Sequence, residues 1–217
     1  MTSAIADVAG ERLELLPERA AYWERTKTLL VADPHFGKAA AFRAAGVLVP
    51  RGTTTETLQR LSASLQQTGA ERILFLGDFL HAKEGRAPET LRTITAWRNE
   101  WSHVEMTLVR GNHDARAGDP PAEMRIICVS GVLPEPPFVF AHHPARSDEG
   151  YVVSGHIHPG VTLRGAGKQA SKLPCFWFGR ETAVFPAFGE FTGLAVVSPV
   201  EGDRVWVVVE GSVVSVA

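Results

Sequence analysis

The sequence has no excess of basic charge. Twenty-two Lys and Arg stand against 24 Asp and Glu, giving a formal net charge of −2 and a sequence pI of about 6.4. Global charge therefore does not draw the chain to a polyanion, and no polybasic tail marks a membrane surface. A local basic patch stays open. Long apolar runs are missing as well. None approaches the roughly 18 residues of a membrane-spanning helix, so no membrane partner is expected. The opening "MTSAIADVAGERLE" has neither a basic n-region nor an apolar core, which argues against a secretory leader and for a cytoplasmic protein. Cysteine is scarce. Cys128 and Cys175 have no metal-binding spacing and read as reduced, buried thiols. With no internal repeat and no low-complexity linker, residues 1–217 read as one domain.

What is present is an ordinary globular composition, 45% hydrophobic over 217 residues, enough for one sizeable core. Five apolar runs read as short buried strands that stop at polar residues: "TLLVAD", "RILFLGD", "MTLVRGNHD", "FVFAHHP" and "YVVSGHIHP". Between them, "TTTETLQRLSASLQQTG" reads as a helix. Thr53 and Glu56 make a capping-box pattern, Leu58, Leu61 and Leu65 form one stripe, and Gly69 is a stop. "PETLRTITAWRNEW" reads as a second, opened by Pro88, with Leu91, Ile94, Trp97 and Trp101 on one face. "ERLELL" and "AAYW" suggest an early strand pair. After residue 180 strands predominate, in "ETAVFPAF", "FTGLAVVS", "DRVWVVVE" and "SVVSVA". Alternation followed by strands favours an α/β protein with a two-sheet core and helices outside.

The polar strand ends carry the chemistry. Seven of the eight histidines belong to them: His35, His81, His113, His142, His143, His156 and His158. His103 alone lies elsewhere, in a helix-to-strand connection, and reads as a surface residue. In layered α/β folds ligands collect outside the carboxyl ends of the strands. The i, i+2 pairs Asp33/His35 and His156/His158, if extended, aim both side chains the same way. Two carboxylates, an amide and several imidazoles offer oxygen and nitrogen without thiolate, which suits Mn²⁺, Fe or Zn²⁺ better than Ca²⁺. They are too many for one ion. Two metals roughly 3.5–4 Å apart, sharing a carboxylate, account for them.

The ordered set "DPH", "GD", "GNHD", "AHHP" and "GHIH" resembles the calcineurin-like metallophosphoesterase superfamily. That resemblance implies a four-layer αββα sandwich, two mixed β-sheets flanked by helices. It implies metal one on Asp33, His35, Asp78 and His158, and metal two on Asp78, Asn112, His142 and His156. The fourth strand end has two histidines. His142 is preferred because it directly follows the apolar run, with His143 the alternative. By the same resemblance His113 is a general acid oriented by a hydrogen bond to Asp114. His81 falls where nuclease-like members carry a further active-site histidine.

Longer stretches, "LLVADPHFGKAAAFRAAGVLVPRGTT", "LFLGDFLHAK", "LPCFWFG" and "FPAFGEFTG", are similar to the bacterial ligase-associated DNA-damage-response endonucleases. This implies a manganese-dependent phosphodiesterase acting on DNA, in a repair system shared with a DEXH-type helicase, an exonuclease and a DNA ligase. A small-molecule phosphodiesterase, acting on cyclic or dinucleotide substrates, is the alternative that the acidic pI favours. Lys38, Arg43 and Arg51 can line a backbone groove or simply a solvated face. Phe176, Trp177, Phe178, Phe185, Phe188 and Phe191 can stack bases or form core, and core is the commoner fate of such residues.

Overall fold

The computed structural model describes residues 2–50, 52–164 and 170–216. Two mixed sheets form the centre. The first holds β1 (Ala4–Val8), β2 (Glu11–Leu15), β3 (Ala20–Trp23), β4 (Thr28–Val31), β5 (Arg72–Phe75), β6 (Glu105–Val109) and β7 (Ile127–Val129), side by side in chain order. β1 to β4 pair antiparallel and β4 to β7 parallel. The crossovers carry α1 (Lys38–Ala44) and α2 (Thr53–Thr68) after β4, α3 (Pro88–Glu100) after β5 and α4 (Asp114–Ala117) after β6.

The second sheet is built from β8 (Val132–Glu135), β9 (Phe138–Ala141), β10 (Tyr151–Ser154), β11 (Pro159–Arg164), β12 (Ala170–Phe178), β13 (Thr182–Val184), β14 (Ala195–Val196), β15 (Arg204–Val209) and β16 (Ser212–Ser215). Its order is β14-β11-β12-β13-β10-β9-β8, with β15 and β16 added through β12. β9, β10 and β13 run parallel at its middle.

Side-chain alternation divides the apolar residues between two cores. Leu29, Val31, Ile73, Phe75 and Leu108 face the helices and meet Leu58, Leu61, Leu65, Ile94 and Trp97. Leu30, Leu74 and Val109 point the other way, onto Phe138, Phe140, Phe176 and Phe178 of the second sheet. A bidentate Arg72–Glu135 pair also links the two sheets. The architecture is thus two mixed sheets flanked by helices. The helices are concentrated on the first sheet, because the described residues after 118 form strands and loops with one short 3₁₀ turn, Ala122–Met124. Among the described residues, the outer face of the second sheet carries the small clusters around Val139 and Val207.

Several local expectations hold and one does not. Gly69 caps α2 in the left-handed conformation, its N–H bonded to Leu65. Pro88 opens α3. The capping box does not form: Gly52 is the N-cap, and Thr53 already lies inside the helix, where its carbonyl accepts from the Thr57 hydroxyl. His103 is exposed. Both cysteines are free; Cys175 is buried and Cys128 half-buried, and burial pushes their thiols up to about 12 and about 11. No described helix is long and apolar enough to cross a membrane.

Trp23 ties the sheets together. It is 1% exposed, packs edge-on against Phe138 at 5.0 Å and tilted against Phe140 at 5.8 Å, and donates its indole N–H to Glu11. Trp23→Ala should cost about 3–5 kcal/mol of stability, read as a shift of the urea midpoint. A shift worth less than about 1 kcal/mol would show that the two sheets hold together without it.

Candidate metal centre

Five parallel-strand ends converge at one edge of the molecule. Asp33 and His35 follow β4, Asp78 follows β5, and Asn112, His113 and Asp114 follow β6. These come from the first sheet. His142 follows β9, and His156 and His158 follow β10, from the second. The i, i+2 pairs do converge, but not as extended segments. Asp33 (φ 49°), His35 (46°), Asp78 (51°), His156 (74°) and His158 (51°) all sit in the left-handed region. A non-glycine residue there is strained by roughly 1 kcal/mol or more, and each turn it makes folds a side chain back toward the others.

The donor atoms fall into two groups around Asp78. Nε2 of His35 lies 3.2 Å from Nε2 of His158 and 3.9 Å from Asp78 Oδ2. His158 Nε2 is 3.7 Å from Asp33 Oδ2. On the other side, His142 Nε2 lies 2.9 Å from Asn112 Oδ1, 3.1 Å from His156 Nδ1 and 3.5 Å from Asp78 Oδ1. Asp78 therefore turns one carboxylate oxygen to each group. Donors bound to a common ion at roughly 2.1 Å can be at most about 4.2 Å apart, and every pair above meets that limit.

Burial and charge fit a cation. Asp33 is fully buried and Asp78 is 2% exposed. Asp33 Oδ2 accepts the His156 amide, but Oδ1 has no hydrogen-bond partner. Burial, and then the charge of Asp78, push the Asp33 carboxyl well above the usual range. Burial first, then neighbouring positive groups, hold His35 far below its ordinary value and His158 at about 4. Burial also lowers His142 and His156. Neutral imidazoles aimed at one another, beside a carboxylate oxygen without a donor, are a site short of positive charge. The residues fit divalent ions.

His142 rather than His143 reaches the group. Its Nδ1 is fixed by the Leu76 carbonyl at 3.0 Å, which aims Nε2 inward. His143 is exposed and lies against the His156 ring, 4.0 Å between centroids.

His113 stands beside these groups. Its Nδ1 is bonded to the His81 carbonyl, and its Nε2 lies 3.9 Å from Asp78 Oδ2. The expected hydrogen bond from the His113 ring to Asp114 is not formed. Asp114 turns inward and accepts backbone N–H groups from Phe79, Leu80 and Gly111. It stitches the Asp78 loop to the Asn112 loop and leaves the orientation of His113 to a carbonyl. Burial pushes the Asp114 carboxyl up to about 6 against those three bonds. His81 stacks on His113 at 4.8 Å, with its Nδ1 3.5 Å from Nδ1 of His35. Burial, then Lys38, hold His81 down at about 4.

The profile of the calcineurin-like phosphoesterase family matches residues 26–160, which include every residue named above. The chain belongs to that family. Among solved structures, the Pseudomonas putida nuclease MPE has 37% identity, with a TM-score of 0.89 over 99% of this chain and 100% of that one. Yfce, a phosphoesterase from E. coli, has 17% identity over 84% of this chain and 88% of its own, with a TM-score of 0.42. No curated protein matches the chain. The chain is a metal-dependent phosphoesterase with a calcineurin-like fold.

Membership of this phosphoesterase family explains the motif glycines sterically. A Cβ on Gly77 would overlap the His142 ring, and one on Gly155 would strike the Asp33 carboxylate. Sequence reasoning missed the Leu76 and His81 carbonyls, which aim His142 and His113, because backbone acceptors leave no mark in residue identity. Of the aromatic set, Phe176, Phe178, Phe185 and Phe188 are core. Trp177 is partly buried against the second sheet, and Phe191 is exposed. Arg43 is exposed and bonded to the Pro50 carbonyl, and Arg51 lies outside the described residues.

Asp114→Ala removes three hydrogen bonds to a buried carboxylate and should lower stability by about 2–4 kcal/mol, measured by chemical denaturation. A variant as stable as the parent would return Asp114 to a purely chemical role.

Proposed function

We propose that the chain is a two-metal phosphodiesterase whose substrate is DNA. The observation that carries this reading is the pair of donor groups sharing Asp78. The whole-length likeness to a protein described as a nuclease supports a nucleic-acid substrate. Metal one falls to Asp33, His35, Asp78 and His158, and metal two to Asp78, Asn112, His142 and His156. The oxygen and nitrogen donor set without thiolate suits Mn²⁺, Fe or Zn²⁺, and the sequence likeness to ligase-associated endonucleases favours Mn²⁺ among them.

Two divalent ions bound here would supply Lewis-acid neutralisation of phosphoryl charge and activation of the attacking water. The chain's own residues do the rest. Asp78 holds its two oxygens toward the two donor groups, kept in place by the His113 amide at 2.8 Å. His113, with Nδ1–H given to the His81 carbonyl, presents Nε2–H when protonated and passes that proton to the leaving oxygen. His81 is neutral near pH 7 because burial and Lys38 disfavour its charge. It serves by stacking on His113 and meeting His35, not as the acid. The sequence likeness to ligase-associated repair endonucleases extends the proposal to a cytoplasmic repair setting with a DNA ligase, a DEXH helicase and an exonuclease.

The formal charge of −2 favours a second reading, a cyclic or dinucleotide phosphodiesterase. Assays with Mn²⁺ on single-stranded DNA, nicked duplex, cyclic dinucleotides and a phosphomonoester separate the two. Cleavage of DNA is expected. Activity confined to the small diesters would overturn the DNA assignment, and a monoester preference would overturn the diesterase. His113→Ala should lower kcat about 10²- to 10⁴-fold, and Asp78→Ala should abolish activity together with metal binding. Retention of two metal equivalents by Asp78→Ala would rule out the shared carboxylate. Metal titration of the apoprotein at mildly acidic pH should release protons, because the Asp33 carboxyl is raised above its usual range in the folded state and must ionise to bind. Calorimetry in buffers of different ionisation enthalpy reads that release. An identical heat in all of them would contradict it.

A further inference from the structure

Beside the metal centre runs a narrow cleft whose lining includes Pro34, His35, Lys38, Thr53, Glu190 and Phe191. Lys38 opens α1 and is half-buried. Among the described residues it has no ion pair and no side-chain hydrogen bond. Its ammonium lies 5.9 Å from the centroid of the Phe42 ring, which in turn meets His81. Its charge still reaches the centre, disfavouring protonation of His35, His81 and His158. A half-buried cation with no ion pair among the described residues, attracted across the centre by Asp33 and Asp78, has room for an anion.

Phe191 lies on the other side of the cleft. It is 46% exposed and held at φ 56°, a conformation rare for an aromatic residue. The segment that carries it is pinned. Phe188 and Gly189 donate their amides to Ala32 and Asp33, and Arg60 binds the Phe188 carbonyl. Glu190, the acid in the cleft, is matched by Arg19 at 2.8 Å and Arg60 at 2.9 Å, so it does not repel an anion unopposed. Strain at an exposed aromatic on a fixed segment, hydrogen-bonded to the Asp33 loop, points to a function for its ring.

We propose that Lys38 and Phe191 form a nucleotide subsite flanking the cleaved bond. Lys38 takes a non-bridging oxygen of a neighbouring phosphate, and Phe191 stacks the unpaired base of that nucleotide. The cleft is too narrow to swallow a base, so the base lies on the outer face of Phe191. This rests on the DNA reading above.

The test compares kcat/KM on a single-stranded oligodeoxynucleotide with kcat/KM on bis(p-nitrophenyl) phosphate, for the full chain loaded with Mn²⁺. Phe191→Ala and Phe191→Leu should lower the ratio of the two roughly 5- to 100-fold, mainly through the oligonucleotide KM. Phe191→Trp should keep it. Lys38→Ala should lower the same ratio and reduce the slope of log affinity against log salt by about 0.7, and Lys38→Arg should restore both. Equal ratios for Leu, Trp and the parent overturn stacking. An unchanged salt slope in Lys38→Ala overturns the phosphate contact. Parallel losses on both substrates mark general damage to the site and also overturn the subsite. The DNA reading fails separately, in the parent protein alone, if it cleaves the small diester and no DNA, and the subsite then falls with it.

Discussion

Two buried carboxylates have to share one site, and much else in the molecule follows from that. Asp33 has no exposure, Asp78 almost none, and the charge of Asp78 raises the cost of charging Asp33. Each is steadied by a backbone amide from a different strand end: His156 N–H for Asp33 and His113 N–H for Asp78. Those two bonds do not satisfy four oxygens, and Asp33 Oδ1 is left without a donor. Neutral imidazoles surround the pair, offering lone pairs and no charge. Such a cluster is costly unless positive charge sits within it. The left-handed turns and the motif glycines belong to the same constraint, since they bring the donors closer than regular strands would allow.

The site is also a joint between the two sheets. Asp33, His35, Asp78 and Asn112 come from the first, and His142, His156 and His158 from the second. A shift of one sheet against the other by even 1 Å would separate donors now 2.9–3.7 Å apart across the joint. The inter-sheet core of Trp23, Phe138, Phe140, Phe176 and Phe178 therefore does more than stabilise. It fixes the spacing on which the chemistry depends, as dense packing of interlocked aromatic rings can. The Asp33–His156 amide bond and the Phe188–Ala32 bond repeat that fastening at the site itself.

The sequence made the strand ends legible because each pairs a short apolar run with a ligand-type residue, and because the same pattern recurs five times. The convergence itself does not come from strand alternation: a period of two presumes an extended chain, and Asp33, His35, His156 and His158 are not extended. Asp114 was misjudged for a related cause. Adjacency to His113 suggested a side-chain partner, whereas a buried carboxylate near three unpaired amides is drawn to those amides. The capping box failed because Gly52 already supplies the turn into α2, so Thr53 became the first helical residue. Phe188 and Phe191 look alike in sequence, three residues apart, yet one is core and the other exposed. Only the path of the segment over the Asp33 loop separates them.

Charge decides how this enzyme can meet its substrate. A chain of net −2 gains little from long-range attraction to a polyanion. Its positive charge is local. Arg19 and Arg60 are engaged by Glu190, Arg72 by Glu135 and Arg110 by Asp119, so those cations are largely offset by nearby carboxylates. Lys38, next to the donor groups, forms no ion pair among the described residues and is faced by Asp33 and Asp78 of the centre itself. Affinity concentrated at one point, in the metal centre and an adjacent cation, favours substrates that bring a phosphate deep into the strand-end crevice. A flexible, unpaired strand can bend to do that, while a stiff duplex can do so only by distortion. On the proposed DNA reading, that charge distribution disfavours general binding along a duplex and favours places where the backbone is free to enter.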